Sequence, residues 1–357
     1  MTAAQHAVPM RSPLWMVTRE PVLNRFVSYL TGFLDGLRLA PDQVHELTLS
    51  QTELREVRRV FGEMILRGER RLHQLASLLC NTLFHQYQIA SVVVGEVEGG
   101  TERFVLTQQL SEDDLLHTSD IDLGTRQLSK LRFRIQDEWR AASLVANFVE
   151  YQPTEPNSFG VHKIISRIKA EEEIWNKVAD EIFDLDGMIA RDKQMSHLSY
   201  FVKDVFGLKI VVGSTADVAR LKNWLTDFRW GSDDFSRLQI EATKMAEALH
   251  VLEEKDYLSQ ENQKESGWSA LKLVVSWMDK TFEIQIQSLR NYLSEQEFLT
   301  KESHAGFKAR REQLRDDIAA RDPHFAYIRA LLFWMFRGDA SLANAPEHPQ
   351  VTLTIRD

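Results

Sequence analysis

With 357 residues, 43% of them hydrophobic, the chain is long enough for two domains, or for one large domain with a helical extension, without covalent staples. Its single cysteine, Cys80, excludes a disulfide framework and a multi-cysteine zinc site, fits a reducing cytoplasm, and reads as a small buried hydrophobe. The formal charge of -9 argues against long-range steering onto DNA or RNA, yet it leaves room for a local basic cleft, because salt screens charges beyond about 8 Å.

The opening MTAAQHAVPMRSPLW has no apolar run behind its arginine, and nowhere do about 18 uncharged apolar residues follow one another, so neither secretion nor membrane spanning is expected. Over residues 20–88, Val22, Phe26, Tyr29 and Phe33 recur at three and four; Ala40-Pro41-Asp42 breaks the pattern, and Leu54, Val57, Phe61, Ile65 and Leu72 resume it. Two to four amphipathic helices with arginines outside are predicted there. Residues 90–97 and 101–106 flank Glu98-Gly99-Gly100 as a β-hairpin, and residues 126–151 read as helical or mixed. The stretch QPTEPNSFG, residues 152–160, is a linker by composition and marks the expected domain boundary.

Beyond it the texture is that of an α/β fold. Residues 161–183 are predicted as a helix with Ile164, Ile165, Ile168, Ile174 and Val178 inward. Residues 203–212 form a strand, 216–226 a helix, and 268–277 with 281–288 a hairpin across Met278-Asp279-Lys280; helices over 289–319 and 326–336 follow. The expectation is a mixed β-sheet flanked by helices over residues 156–320, after a mainly helical region at 1–155 and before a C-terminal helix and tail at 321–357. There is no internal repeat.

Several charged residues stand out against this frame. In TFEIQIQS, residues 281–288, Phe282, Ile284 and Ile286 alternate with Glu283, Gln285 and Gln287, which alone describes a half-buried strand with a solvated polar face. On the predicted helix, Lys169 and Lys177 lie eight apart and so nearly on one face, while Arg167 lies about 160° from Lys169. They fit either an ordinary solvated face or an anion site. Asp204 opens a buried strand, where an acid caps, pairs with a lysine, or holds a metal on a rigid element. Glu283 is the natural second acid. Two carboxylates about 4 Å apart repel by roughly 4 kcal/mol at an effective dielectric near 20, so such a pair calls for a cation or a proton between them. Gly267 lets the backbone bend beside a ligand, and Trp268 offers a flat face for a base, or simply fills core.

In order, Arg167-x-Lys169, Lys177, Asp204-x-x-Gly207-x-Lys209-Ile210, Lys255-Asp256-Tyr257, Lys264-x-x-Gly267-Trp268-x-x-Leu271-Lys272, Glu283-Ile284-Gln285-Ile286 and His304-x-x-Phe307-Lys308 resemble the synthetase domain of the RelA/SpoT family of alarmone (ppGpp) synthetases. The resemblance implies a nucleotidyltransferase-like fold and transfer of the β,γ-pyrophosphate of ATP to the 3′-hydroxyl of GDP or GTP. It implies that Asp204 and Glu283 hold Mg²⁺, with Glu283 also a candidate base, and that Arg167, Lys169 and Lys177 clamp the ATP phosphates. Lys255, Tyr257, Lys264, Trp268 and Lys272 fall on the acceptor side. Such chemistry is mostly positioning and cancellation of charge.

The departures crowd that acceptor side. Ala170 stands where the family has serine, Lys209 for arginine, Trp268 for tyrosine, Lys272 for histidine and Gln287 for arginine. Three readings follow: a pyrophosphokinase acting on a guanine or another nucleotide, a toxin of the same family that modifies the 3′ end of tRNA, and a non-catalytic nucleotide-binding protein of the fold. No His-Asp pair occurs, so the metal hydrolase of longer family members is not expected. The N-terminal helices fit an oligomerisation, regulatory or neutralising module.

Overall fold

A computed structural model describes residues 19–97, 103–117, 128, 130–135, 137–169, 171–183, 202–259, 268–301, 313, 315–336 and 344–357. The chain begins with helix α1 (Pro21–Leu39), strand β1 (His45–Ser50), the long helix α2 (Gln51–Leu83), the hairpin β2 (Tyr87–Val97) and β3 (Arg103–Leu110), and the short α3 (Glu112–His117). There follow β4 (Phe133–Ile135), β5 (Glu138–Arg140), β6 (Ala142–Pro153), β7 (Val161–Ile168), α4 (Glu171–Ile182), β8 (Phe206–Val212), α5 (Thr215–Asp227) and α6 (Ser232–Ser236). The last elements are β9 (His250–Asp256), β10 (Leu271–Trp277), β11 (Lys280–Ser288), α7 (Leu289–Lys301), α8 (Pro323–Phe336) and β12 (Val351–Arg356). The chain divides into two compact units, one of Met1–Ile65, Lys169–Lys203 and Glu302–Asp357, the other of Leu66–Ile168 and Asp204–Lys301.

The second unit is built on an eight-stranded sheet in the order β3-β2-β6-β7-β8-β11-β10-β9, flanked by helices. It is mixed: β8 and β11 run parallel, and their pairing requires the long crossover through α5, β9 and β10, whereas the other neighbours are antiparallel. The stretch at residues 152–160 finishes β6 and then turns tightly into β7. Asn157 braces that turn by accepting from Val161 N at 2.9 Å and donating to Val161 O at 2.8 Å, and Gly160 supplies the positive φ of 63°. One face of the sheet is apolar, with Ile164, Phe206, Leu208, Ile210, Phe282, Ile284 and Ile286 all buried. The C-terminal half of α2 lies so close to this face that a Cβ at Gly68 would fall 1.9 Å from the Phe206 ring. Helix α5, started by the Ser214–Asp217 capping box, packs on β11 and β8 and ties down the edge through Lys222–Glu254 at 2.7 Å.

The first unit gathers α1, β1, the start of α2, α4, α8 and β12. Leu23, Val27, Leu30, Leu34, Phe325, Ile328 and Leu331 are fully buried. Trp175 stacks on Phe336 at 3.7 Å between centroids, and Phe61 completes the cluster 4.7 Å from Trp175 and 5.4 Å from Phe336. Arg315 makes a two-pronged contact with Asp180 at 2.9 and 3.1 Å in this core.

Three expectations need correction. Residues 161–183 are not one helix: β7 takes the first eight, and α4 starts at Glu171. The run Ile164-Ile165-Ile168 fits a period of 3.6 as readily as one of 2, and the β-branched residues decide for the strand. Arg167, Lys169 and Lys177 therefore do not share a helix. Residues 126–151, read as helical or mixed, hold β4, β5 and most of β6, with helix only at Leu128 among the described residues. Finally, β1 and β12, a parallel pair with His45 opposite Val351, were not expected in the helical N-terminal region and the C-terminal tail. The expected hairpins at residues 90–106 and 268–288 are present, and Cys80 is buried. Among the described residues no helix is long and apolar enough to cross a membrane.

Candidate functional site

Opposite the apolar face, between the register shifts at Val161/Lys163 and Val274/Val275, the odd-numbered residues of β7, β8, β9 and β11 and the even-numbered ones of β10 share the other side of the sheet. Its rows follow from the register. Arg167, Gly207, Glu283, Val274 and Glu253 are successive neighbours across β7, β8, β11, β10 and β9. The next row runs Ile165, Lys209, Gln285, Lys272 and Lys255, and a third carries Lys163, Val211 and Gln287. This side is polar but not solvated as a plain half-wet strand would be: Glu283 is 7% exposed and Gln287 0%. Burying a carboxylate is costly unless it is paired and hydrogen-bonded.

Glu283 meets both conditions. Its Oε1 accepts from Gln285 Nε2 at 2.7 Å, and its Oε2 forms an ion pair with the Lys272 ammonium. Burial opposes the charge on Lys272, but Glu283 and Asp204, with Tyr257 adding a smaller contribution, hold its pKa above the ordinary lysine value. Asp204 does not open the strand; it lies half-buried in the loop two residues ahead of β8. The structure thus pairs Glu283 with Lys272, and the charge of Asp204, in the loop ahead of β8, also acts on that lysine. The cation that the buried Glu283 carboxylate requires is supplied by the protein itself.

Beside this cluster, Gly207 leaves a hollow in its row. A Cβ there would meet only Arg167 O at 3.7 Å and Glu283 O at 3.9 Å, ordinary contact distances, so the backbone does not demand glycine. What its missing side chain does is keep space between Arg167, which is exposed, and Glu283. Lys255 lies in the row of Lys272 and pairs with Glu253 at 3.0 Å. Tyr257 donates its N–H to Ala270 O at 3.0 Å and meets Trp268 edge to face at 5.4 Å, so Trp268 is fixed just before β10.

The far end of the polar face is occupied by α7. Lys209 makes a two-pronged contact with Glu295 at 2.8 and 2.9 Å, and Gln287 donates to the same carboxylate at 3.0 Å. Lys163 pairs with Glu150 at 3.0 Å, and the Tyr292 ring lies 5.4 Å from Lys163 and 5.9 Å from Lys209. Burial raises the Tyr292 pKa, with Lys163 pulling the other way. Lys169 directly follows β7 and Lys177 sits on α4; both belong to the first unit. Lys264, Gly267, His304, Phe307 and Lys308 lie outside the described residues.

Sequence reasoning missed Glu253 and the pairing of Lys272 with Glu283. The alternation in HVLEEKD, which sends Glu253 and Lys255 to one face and Glu254 and Asp256 to the other, was the available signal for the first. Among the described residues no cluster of three or more His, Cys, Asp or Glu is placed to hold a metal. Mg²⁺ needs less, since it takes one or two carboxylates and completes its shell with phosphate and water. The hard oxygens of Asp204 and Glu283 suit it in kind, but Lys272 must move off Glu283 to admit it.

No protein-family model matches the chain, and no curated protein does. Among solved structures it is similar to the small alarmone synthetase 1 of Bacillus subtilis bound to its product pppGpp, at 21% identity over 48% of this chain and 78% of that one, with a TM-score of 0.25. Two further structures of the same enzyme match over 48% of this chain: one at 20% identity, 80% of that chain and a TM-score of 0.24, and one bound to AMPCPP at 16%, 77% and 0.22.

Proposed function

We propose that the chain is an ATP-dependent pyrophosphokinase that transfers the β,γ-pyrophosphate of ATP to the 3′-hydroxyl of a nucleotide, GDP or GTP in the first instance. The observation that carries this reading is the buried Glu283 held by Lys272 in a row with Gly207 and Arg167, where the charge of Asp204 is also felt. In the reaction the acceptor 3′-oxygen bonds to the β-phosphorus while the bond from that phosphorus to the α,β-bridging oxygen breaks. AMP leaves with the bridging oxygen, and the hydroxyl proton passes to Glu283. Mg²⁺ held by Asp204 and Glu283 would neutralise phosphate charge. Arg167 offers a planar fork of donors for phosphate oxygens. Lys255, Tyr257, Lys264, Trp268 and Lys272 would serve the acceptor.

The test is to incubate the full chain with labelled ATP, Mg²⁺ and, in turn, GDP, GTP, AMP, ADP, ATP and deacylated tRNA. Transfer to a guanine nucleotide is expected, falling by about 10²-fold or more in Asp204→Asn and Glu283→Gln. Transfer to tRNA alone would make the protein a nucleic-acid modifier. Absence of transfer to every acceptor would overturn the reading. In that case the Lys272–Glu283 pair favours a nucleotide-binding protein without turnover, seen as heat of ATP binding with no product.

A further inference from the structure

Both oxygens of Glu283 are already engaged, Oε1 by Gln285 and Oε2 by Lys272. Lys272 projects from β10 in the row of Gln285, and its side chain is largely covered, 22% exposed, with its ammonium against Glu283 and in the field of Asp204. A divalent cation held by Glu283 would compete with this ammonium for the same carboxylate. Two cations cannot share that place, and lysine, a point charge on a flexible four-carbon stem, is the one that can swing away.

We infer that Lys272 is a displaceable counter-ion of Glu283, near enough to feel Asp204 as well: it neutralises the carboxylate in the nucleotide-free protein and excludes a divalent metal until a phosphate group draws it off. The metal then enters with the nucleotide rather than before it. The inference rests on the reading of Asp204 and Glu283 as metal ligands given under Proposed function.

The probe is Mn²⁺, followed by electron paramagnetic resonance as it is titrated into the full chain without nucleotide. The native protein is expected to bind it weakly, and Lys272→Met to bind it at least about ten-fold more tightly, since a like charge has been removed. With a non-hydrolysable ATP analogue the gap between the two is expected to close to less than about three-fold, because the phosphates have then drawn the lysine of the native protein off the carboxylate, leaving Glu283 as accessible there as in Lys272→Met. Glu283→Gln in the Lys272→Met background is expected to abolish binding. Lys272→Gln gives the same readout should the methionine variant fail to fold. Equal Mn²⁺ affinity in the native protein and Lys272→Met, with both lost in Glu283→Gln, would overturn the counter-ion role and leave the acids as ligands. Mn²⁺ binding that survives Asp204→Asn and Glu283→Gln, or its absence in every variant with and without nucleotide, would overturn both.

Discussion

At Gly207 a glycine occupies the second position of strand β8, where a β-branched residue would be favoured by propensity and where a Cβ meets nothing closer than 3.7 Å. A side chain there is tolerable to the fold and intolerable to whatever lies between Arg167 and Glu283. Gly207→Val is therefore expected to leave the melting temperature unchanged or slightly raised, while nucleotide affinity measured by calorimetry falls about ten-fold or more; Gly207→Ala should fall between. Loss of stability with affinity intact would show that the hollow is a packing feature. The polar side of β11 was legible in the sequence because a period of 2 assigns Glu283, Gln285 and Gln287 to one face whatever surrounds them. The partner of Glu283 was not. It depends on the turn between β10 and β11: a two-residue turn at Met278-Asp279 sets Trp277 opposite Lys280 and hence Val274 opposite Glu283, with Lys272 alongside. A turn one residue longer, as the sequence suggested, shifts the register by one and sends Lys272 to the other face.

Elements were legible where a single period dominates, as in α1, α2, α5 and the two hairpins, and illegible where the pairing partner lies far along the chain. Strand β1 is six residues flanked by helices, and its partner β12 enters from the other end of the sequence, so no local turn announces either. Strand β7 was hidden by three isoleucines that satisfy both periods. Two contacts in the first unit carry predictions. Arg315 and Asp180 are 5% and 2% exposed in their side chains, so removing one of them takes a two-pronged ion pair from a buried charge. Asp180→Ala is expected to cost about 3–5 kcal/mol in urea unfolding, and Asp180→Ala with Arg315→Met to recover part of it. Near β12, His348 accepts from Gln350 N at 3.2 Å, and its ring lies 5.1 Å from His324 and 5.3 Å from Tyr327. Burial, and after it the charge of His324, lowers the His348 pKa, with Asp322 opposing. The folded state then binds fewer protons than the unfolded one below the ordinary histidine value, so this stability is present above about pH 6.5 and is lost as pH falls through the lowered value. His348→Leu should flatten the fall in melting temperature between pH 7.5 and 5.5; an unchanged slope would assign the acid sensitivity elsewhere.

Across the whole molecule, 52 acidic residues outnumber 43 basic ones, and the polar sheet face repeats that balance in miniature. Lys163, Lys209, Lys255 and Lys272 each face a carboxylate, of Glu150, Glu295, Glu253 and Glu283 respectively. Such a face is a chequer of ion pairs rather than a basic track. A polyanion laid across it meets as many repelling oxygens as attracting ammonium groups, whereas a compact nucleotide with its cation can break one pair, insert its phosphates, and leave the rest intact. A protein neutralising six to ten phosphates loses about 10³–10⁵ in affinity between 50 and 200 mM salt. Here nucleotide binding, followed by calorimetry over the same range, is expected to weaken by less than about ten-fold, and deacylated tRNA in roughly 100-fold excess should not compete with it. A steep salt dependence with effective tRNA competition would mean that the acceptor is a nucleic acid, reached through residues of the chain other than this paired face.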